Sequence, residues 1–114
     1  MKRQVFGFAA ILFLLAGASC YKKESIPAAN FTIHDQHDSI VADTVKDIPD
    51  TLSFLNLSQN SSSYKWDFGD NNTSTETNPV HIYTTAGTYS IQLKAYSTSG
   101  QQWAIKNRTI VLHK

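Results

Sequence analysis

The sequence is poor in the groups on which covalent chemistry and nucleic-acid binding depend. Its 114 residues hold one cysteine, Cys20, so no disulfide can form within the chain. Lysine and arginine are scattered, whereas a nucleic-acid-binding domain clusters them on one face. The chain contains no nucleophile elbow, phosphate-binding loop or His-Glu-x-x-His sequence. We therefore expect a protein without enzymatic activity, cofactor or nucleic-acid partner.

The first residues of the chain have the layout of an export signal. Lys2 and Arg3 form a basic start, and an apolar stretch runs from Val5 to Ala18. This stretch is shorter than the roughly 20 residues that cross a bilayer as a helix, although a retained membrane anchor is the alternative. We predict a signal peptide over residues 1–19. Its removal takes away two positive charges and changes the formal net charge from +1 to −1.

The residues around the single cysteine resemble the lipobox of bacterial lipoproteins. They read Leu15-Ala16-Gly17-Ala18-Ser19-Cys20, with Gly17 where the usual pattern has leucine. The resemblance implies a diacylglycerol on the thiol of Cys20, which would make the membrane a partner of the chain; secretion with a free thiol is the alternative. Tyr21 follows, where an aspartate would signal the inner membrane. We therefore expect an outer-membrane lipoprotein, facing the periplasm or the cell surface, with a tether over residues 20–27.

Beyond residue 30, hydrophobic and polar residues alternate in short segments separated by turn residues. This pattern is typical of antiparallel strands that bury one face. The clearest predicted strands are Thr51–Leu57, Tyr64–Phe68, Val80–Tyr83, Thr88–Ala95 and Trp103–Leu112. Weaker patterns predict a strand over Asn30–His34 and short edge strands at Ile40-Val41 with Val45 and at Thr73–Thr77.

About seven short strands without a helix predict an all-β fold with one antiparallel β-sandwich over residues 28–114. The side chains expected to dominate its core are Trp66, Phe54, Tyr89, Ile91 and Leu93.

Three short sequences together indicate a family. Trp66-Asp67-Phe68-Gly69-Asp70 is followed by His81-Ile82-Tyr83 and then by Gly87-Thr88-Tyr89. In this order and spacing they resemble the PKD (polycystic kidney disease repeat) domain, an immunoglobulin-like β-sandwich. The resemblance implies a non-catalytic spacer or adhesive module that contacts proteins or carbohydrates. Asn71 stands where many members have glycine, and asparagine also tolerates a left-handed backbone.

The motif residues are predicted to form the framework of the fold. Trp66 suits a large buried side chain between two sheets, and Asp67 and Asp70 can accept backbone hydrogen bonds in the turn around Gly69. The polar ends of His81 and Tyr83 can attach a loop to a neighbouring strand.

Gly87 lies where Ala86-Gly87 turns the chain, and it is expected to supply a turn conformation that a side chain would obstruct. The two alternatives for Asp67 and Asp70 are a general acid and base pair, or a calcium site completed by Asn71 or Asn72.

The segment His34-Asp35-Gln36-His37-Asp38 has the composition of a metal site. On a strand its two histidines face opposite sides, so only a bent loop or a helical turn would bring both to one zinc ion, with Asp43 as a possible third ligand. We interpret it as a solvated loop, with a metal site as the alternative.

Exposed aromatic side chains are the remaining candidates for ligand contact. Trp103, beside the Gly100 turn, and Tyr96 are the favoured positions, whereas Tyr64 and Tyr83 are expected to pack in the core. The predicted function is a lipid-anchored envelope module that binds a protein or a polysaccharide. The alternative is a polysaccharide-binding accessory to a secreted hydrolase or uptake system.

Overall fold

The computed structural model describes residues 24–45 and 48–114. Every regular element in these ranges is a β-strand, and no helix there is long and apolar enough to span a bilayer. The predicted signal peptide and Cys20 lie outside the described residues. The strands are β1 (Phe31–His34), β2 (Thr44–Val45), β3 (Asp50–Asn56), β4 (Ser63–Asp67), β5 (Thr73–Ser74), β6 (Val80–Tyr83), β7 (Gly87–Tyr96) and β8 (Trp103–Leu112).

The strands form the two sheets of a β-sandwich. One sheet has the order β1-β3-β6 and the other the order β2-β8-β7-β4-β5. All pairings are antiparallel except that of β2 with β8, which is parallel and only two residues long. The predicted all-β sandwich is confirmed. The alternation of side chains did not indicate the parallel edge formed by β2 and β8.

The parallel edge arises because the chain passes from one sheet to the other after β1. The predicted edge strand at Ile40-Val41 is reduced to a single bridge between Ile40 and His34. Val41 turns into the core, and the Arg108 guanidinium donates hydrogen bonds to the carbonyls of Val41 and Ala42. This contact brings β2 beside β8, where it covers an edge that would otherwise present unpaired backbone groups.

Aromatic rings fill the centre of the sandwich. The ring of Trp66 is fully buried, with its centre 5.1 Å from that of Phe31 and 5.5 Å from that of Phe54. Such tilted pairs each add about 0.5–1.5 kcal/mol to the stabilisation from burial. The predicted core is confirmed for four of its five members, whereas Tyr89 is only half-buried, at the margin of the cluster.

Trp66 also explains why β5 is shorter than predicted. The indole Nε1 donates a hydrogen bond to the carbonyl of Glu76 at 2.8 Å. A buried indole N–H needs such a partner. The chain after Ser74 therefore turns towards the indole instead of continuing along β4 to Thr77.

Candidate functional site

The turn after β4 is held by the carboxylates that the sequence places in it. The N–H of Gly69 donates to Asp67 Oδ1 at 2.9 Å, and the N–H of Asn72 donates to Asp70 Oδ1 at 3.2 Å. Asn71 has a left-handed backbone with a φ of 72°. Within the described part of the chain, no three His, Cys, Asp or Glu side chains are grouped to hold a metal ion. The arrangement therefore makes Asp67 and Asp70 acceptors for the backbone.

The same turn is joined to the opposite sheet by two short hydrogen bonds. His81 Nε2 donates to Asp70 Oδ2 at 2.6 Å, and the Tyr83 hydroxyl donates to the carbonyl of Phe68 at 2.6 Å. Because an ionised carboxylate can only accept, Nε2 is the protonated nitrogen. The imidazole also stacks on the Phe68 ring with the centres 4.3 Å apart. Burial raises the pKa of Tyr83, which keeps its hydroxyl a donor.

The remaining motif residues lie where the turn meets β7. Tyr89 packs its ring 4.6 Å from that of Tyr83 and donates its hydroxyl hydrogen to the carbonyl of Thr85. A Cβ on Gly87 would lie 3.7 Å from the Tyr89 ring, which is ordinary contact, whereas a Cβ on Gly69 would lie 2.6 Å from the Ser90 carbonyl oxygen. Gly87 has a φ of 157°, a backbone conformation that residues with a side chain rarely adopt. The predicted turn conformation is therefore present, although a Cβ there would have room. The close approach is at Gly69, because the backbone of β7 passes beside the turn.

The contacts of Asp70 predict a loss of stability in acid. Partial burial opposes ionisation, but the hydrogen bonds from His81 and Asn72 outweigh it and hold the pKa of Asp70 below its usual 3.8. A pKa lowered by folding adds stability above the unfolded-state value, and this stability is lost as the pH falls through the folded-state value. We expect Asp70→Asn to be about 1–2 kcal/mol less stable than the wild type at neutral pH, with the difference shrinking as the pH falls below 3.8.

Asp38→Asn is the matched control for this measurement. The Asp38 side chain is 92% exposed, and its replacement should change stability by less than about 0.5 kcal/mol. Urea unfolding of the three proteins at a series of pH values measures both differences. A deficit in Asp70→Asn that stays constant down to about pH 2 would contradict the role of this carboxylate.

The histidine-rich segment forms a turn in which the imidazole of His34 has two partners. His34 Nε2 lies 3.0 Å from Thr32 Oγ1, and His34 Nδ1 lies 3.0 Å from Asp38 Oδ1. Asp35 accepts the backbone N–H groups of Ser39 and His37, which lower the pKa of Asp35. Asp38, His34 and Thr32 are linked in the order of a hydrolytic triad. Asp38 is exposed, however, so water screens its charge and it would stabilise an imidazolium only weakly. The segment is a hydrogen-bonded turn at the protein surface.

Trp103 forms one wall of an open cleft at the end of the larger sheet. It is 54% exposed, because it lies on the parity of β8 opposite to that of the buried Ile110 and Leu112. The other residues that line the cleft are Ile26, Gln101 and Gln102. The cleft therefore combines an exposed indole face with two side-chain amides, each of which can donate and accept hydrogen bonds.

The second predicted aromatic residue lies beside the first. Tyr96 is the register partner of Trp103, so both side chains project from the outer face of the sheet. The ammonium group of Lys94 lies 4.6 Å from the centre of the Trp103 ring and 5.2 Å from that of Tyr96. At this distance a lysine is attracted to an aromatic ring by about 0.5–1 kcal/mol. The other two candidates are less accessible, since Tyr83 is buried and Tyr64 is half-buried.

The chain that leads into the sandwich passes beside this cleft. Asn60 donates a side-chain hydrogen bond to the carbonyl of Ile26, and Glu24 accepts one from the N–H of Ser99. The hydroxyls of Ser97 and Ser99 lower the pKa of Glu24. The described part of the predicted tether, from Glu24 onwards, thus lies against the domain.

The opposite sheet carries an exposed apolar patch on its outer face. It comprises Leu55 on β3 and Val80 and Ile82 on β6, which are between 44% and 58% exposed. Residues at these positions point away from the core because they alternate with Phe54, His81 and Tyr83. The patch lacks aromatic rings and is the second surface on which a partner can be considered.

The chain is similar to known proteins both in sequence and in fold. The profile of the family described as "PKD domain" matches residues 28–112. Collagenase ColA of Bacillus cereus is 48% identical over 40 residues, which is 35% of this chain but only 4% of that protein.

Two solved structures share the fold over most of the chain. The PKD1 domain of the Vibrio cholerae metalloprotease PrtV is 29% identical, with a TM-score of 0.60, and the match covers 79% of this chain and all of that domain. A structure of carbohydrate-binding modules from the β-sandwich superfamily is 25% identical, with a TM-score of 0.64, over 82% of this chain and 36% of that one.

The sequence profile spans all eight strands of the sandwich. It includes the buried Trp66, the turn around Gly69 and the residues of β6 that hydrogen-bond to this turn. The chain belongs to the PKD domain family.

Proposed function

We propose that this protein is a non-catalytic module that binds a polysaccharide at the Trp103 cleft. The observation that carries the proposal is the exposed indole beside the amides of Gln101 and Gln102. A sugar ring presents an apolar face that can stack on an indole and hydroxyls that can bond to amides. Ligand sites in proteins commonly combine an apolar surface with a few polar groups in this way.

The comparisons support a binding role over a catalytic one. One solved structure with this fold is of carbohydrate-binding modules, and two others are of domains of larger proteins described as PKD1. The carboxylates of the PKD motif are occupied by the backbone and by His81. Fold likeness alone does not establish function, so the proposal depends on the cleft.

Trp103→Ala should weaken polysaccharide binding about tenfold or more, because the loss of one stacked aromatic ring removes roughly 1.4 kcal/mol. Affinity electrophoresis of the full chain in gels that contain different polysaccharides measures the effect. Trp103 is exposed and its loss removes the attraction to Lys94, so the variant should unfold within about 1 kcal/mol of the wild type.

Val80→Ala is the matched control, since it removes an exposed apolar side chain from the outer face of the other sheet. It should leave polysaccharide binding unchanged. Retention that is equal in wild type and Trp103→Ala would refute the cleft as the site.

A second candidate is contact with a protein through the apolar patch of Leu55, Val80 and Ile82. Its support is the exposure of three neighbouring apolar side chains, together with the match to a stretch of a collagenase. In this role the module would assist a secreted hydrolase or an uptake system. Crosslinking in the native cell distinguishes the apolar patch from the Trp103 cleft. A protein that crosslinks to the wild type and to Trp103→Ala, but not to Val80→Ala, would favour the apolar patch.

We also propose that the module is exported and held at the bacterial outer membrane by a lipid on Cys20. The support is the sequence around this cysteine and the basic and apolar residues before it. Two or three acyl chains hold a protein firmly, since each buried CH₂ contributes about 0.8 kcal/mol. The proposed lipid lies six residues before Ile26 in the cleft, so at most roughly 21 Å of chain would separate the anchor from the cleft.

Cys20→Ser should abolish membrane retention of the protein. We expect the wild type in the membrane fraction after osmotic lysis, with a mass increased by the lipid. The variant should appear as an unprocessed precursor or in the soluble fraction. A variant that is processed and fractionates like the wild type would refute lipid anchoring at this residue.

A further inference from the structure

Two lysines lie side by side on the outer face of the larger sheet. Lys65 on β4 is the register partner of Lys94 on β7, and both have the outward parity of Tyr96. Side chains at directly opposed positions have Cβ atoms about 4.5–5.5 Å apart. The lysine pair lies two residues along the strands from the Tyr96–Trp103 pair, a distance of roughly 7 Å. The face therefore carries a row of aromatic rings next to a row of ammonium groups.

The lysine pair is not neutralised by the surrounding sheet. Among the residues that the structure describes, neither Lys65 nor Lys94 forms an ion pair with a carboxylate. Asp67 lies two residues from Lys65 along β4, on the same parity, and its Oδ1 accepts the N–H of Gly69. Like charges directly opposite in a sheet are destabilising. An anion bound here would relieve this repulsion.

The aromatic rings hold one of the two ammonium groups in place. Lys94 lies over both Tyr96 and Trp103, which limits the conformations open to its long side chain. Fewer conformations in the free protein reduce the entropy that binding would cost. Lys65 is exposed and, among the residues that the structure describes, its ammonium group lies over no aromatic ring. The arrangement thus offers one cation held near the indole and a second, exposed cation further along the sheet.

We propose that the polysaccharide bound at the cleft is acidic, with a carboxylate or sulfate group on its sugar units. The inference rests on the proposed polysaccharide-binding function and names its ligand class. A sugar ring stacks on Trp103, and the acidic groups of that sugar and its neighbour meet Lys94 and Lys65. Charge complementarity selects this class, because a neutral polymer would leave two opposed cations uncompensated.

The test compares acidic and neutral forms of the same polymers. Affinity electrophoresis or biolayer interferometry of the full chain would use polygalacturonate against its fully methyl-esterified form, and dextran sulfate against dextran. We expect at least one acidic polymer to bind about tenfold more tightly than its neutral partner at low salt. Raising the salt to about 0.5 M should remove most of this preference, because exposed charges are then screened.

Lysine variants assign the preference to the proposed residues. Lys65→Gln and Lys94→Gln should each weaken binding of the acidic polymer about three- to tenfold and leave binding of the neutral one nearly unchanged. Lys106→Gln is the matched control. Lys106 is exposed on β8, but its register partner is Leu93, so its side chain has the opposite parity to those of Lys65 and Lys94. It should have no comparable effect.

The possible failures can be told apart. Equal binding of acidic and neutral polymers, lost in Trp103→Ala, would overturn the acidic ligand and leave the proposed function standing. No binding to any of the polymers would overturn both. Binding of vesicles of anionic phospholipid that depends on Lys65 and Lys94, without binding of the acidic polymers, would assign the face to lipid headgroups instead.

Discussion

Trp66→Ala is expected to lower the free energy of unfolding by about 3–5 kcal/mol, the range observed when a large aromatic residue is removed from a core. The indole is fully buried and packs against Phe31 and Phe54, which lie on the neighbouring strands β1 and β3 of the small sheet. Its removal also leaves the carbonyl of Glu76 without the N–H that it accepts. Small domains are stable by only about 5–15 kcal/mol, so a substantial fraction of the variant could unfold at 37 °C.

The second tryptophan provides the control for this experiment. Trp103→Ala deletes the same side chain from an exposed position, so the chemical change is identical and only the burial differs. We expect its urea midpoint to stay close to that of the wild type, whereas that of Trp66→Ala falls sharply. Similar losses of stability in both variants would mean that Trp66 is not the centre of the core.

Gly69→Ala is expected to be the second most damaging single change, at about 2–5 kcal/mol. The backbone at this position has a φ of 82°, which costs an alanine about 1–2 kcal/mol. The new Cβ would also lie 2.6 Å from the carbonyl oxygen of Ser90, a backbone atom of β7. Relief of this overlap requires the turn to move away from β7, at a further cost of about 1–3 kcal/mol.

Gly100→Ala separates the two contributions. Gly100 has nearly the same backbone angle, with a φ of 78°, but nothing lies within 4 Å of the position of a Cβ. Only the backbone cost applies there, so we expect a loss of about 1–2 kcal/mol. Denaturant unfolding of both variants gives the contribution of the contact with Ser90 as the difference. Equal losses would show that the close approach to β7 contributes nothing.

Several features of this protein could be predicted because they depend on neighbouring residues. Alternation of apolar and polar side chains identified β3, β4, β7 and β8 to within one or two residues. The carboxylates of Asp67 and Asp70 bond to N–H groups two residues away, a contact that turn chemistry alone predicts.

Other features could not be predicted because they depend on how distant segments meet. The pairing of Lys65 with Lys94 joins residues 29 positions apart and depends on the register of β4 against β7. A shift of one residue in this register would turn either strand's outward side chains inward. The sequence indicated Tyr96 as an exposed side chain, but it contained no signal for the residues that lie beside it on the neighbouring strands.

The close packing around one glycine likewise could not be predicted from the sequence. The sequence pointed to Gly87 for a turn conformation that a side chain would obstruct, but it did not indicate the close backbone contact that the structure places at Gly69. Both lie next to turns and look alike along the chain. The difference is the strand β7, whose backbone passes Gly69 only when the sheet has formed.

The sequence by itself determined that this chain forms a β-sandwich around Trp66 with a hydrogen-bonded turn after β4, because alternation and turn chemistry act over a few residues. Only the tertiary structure decided that His81 and Tyr83 clamp this turn from the opposite sheet, and that Trp103, Tyr96, Lys94 and Lys65 share one face. These contacts between distant residues depend on strand register and on how the two sheets pack, and both are set by the packing of the whole core.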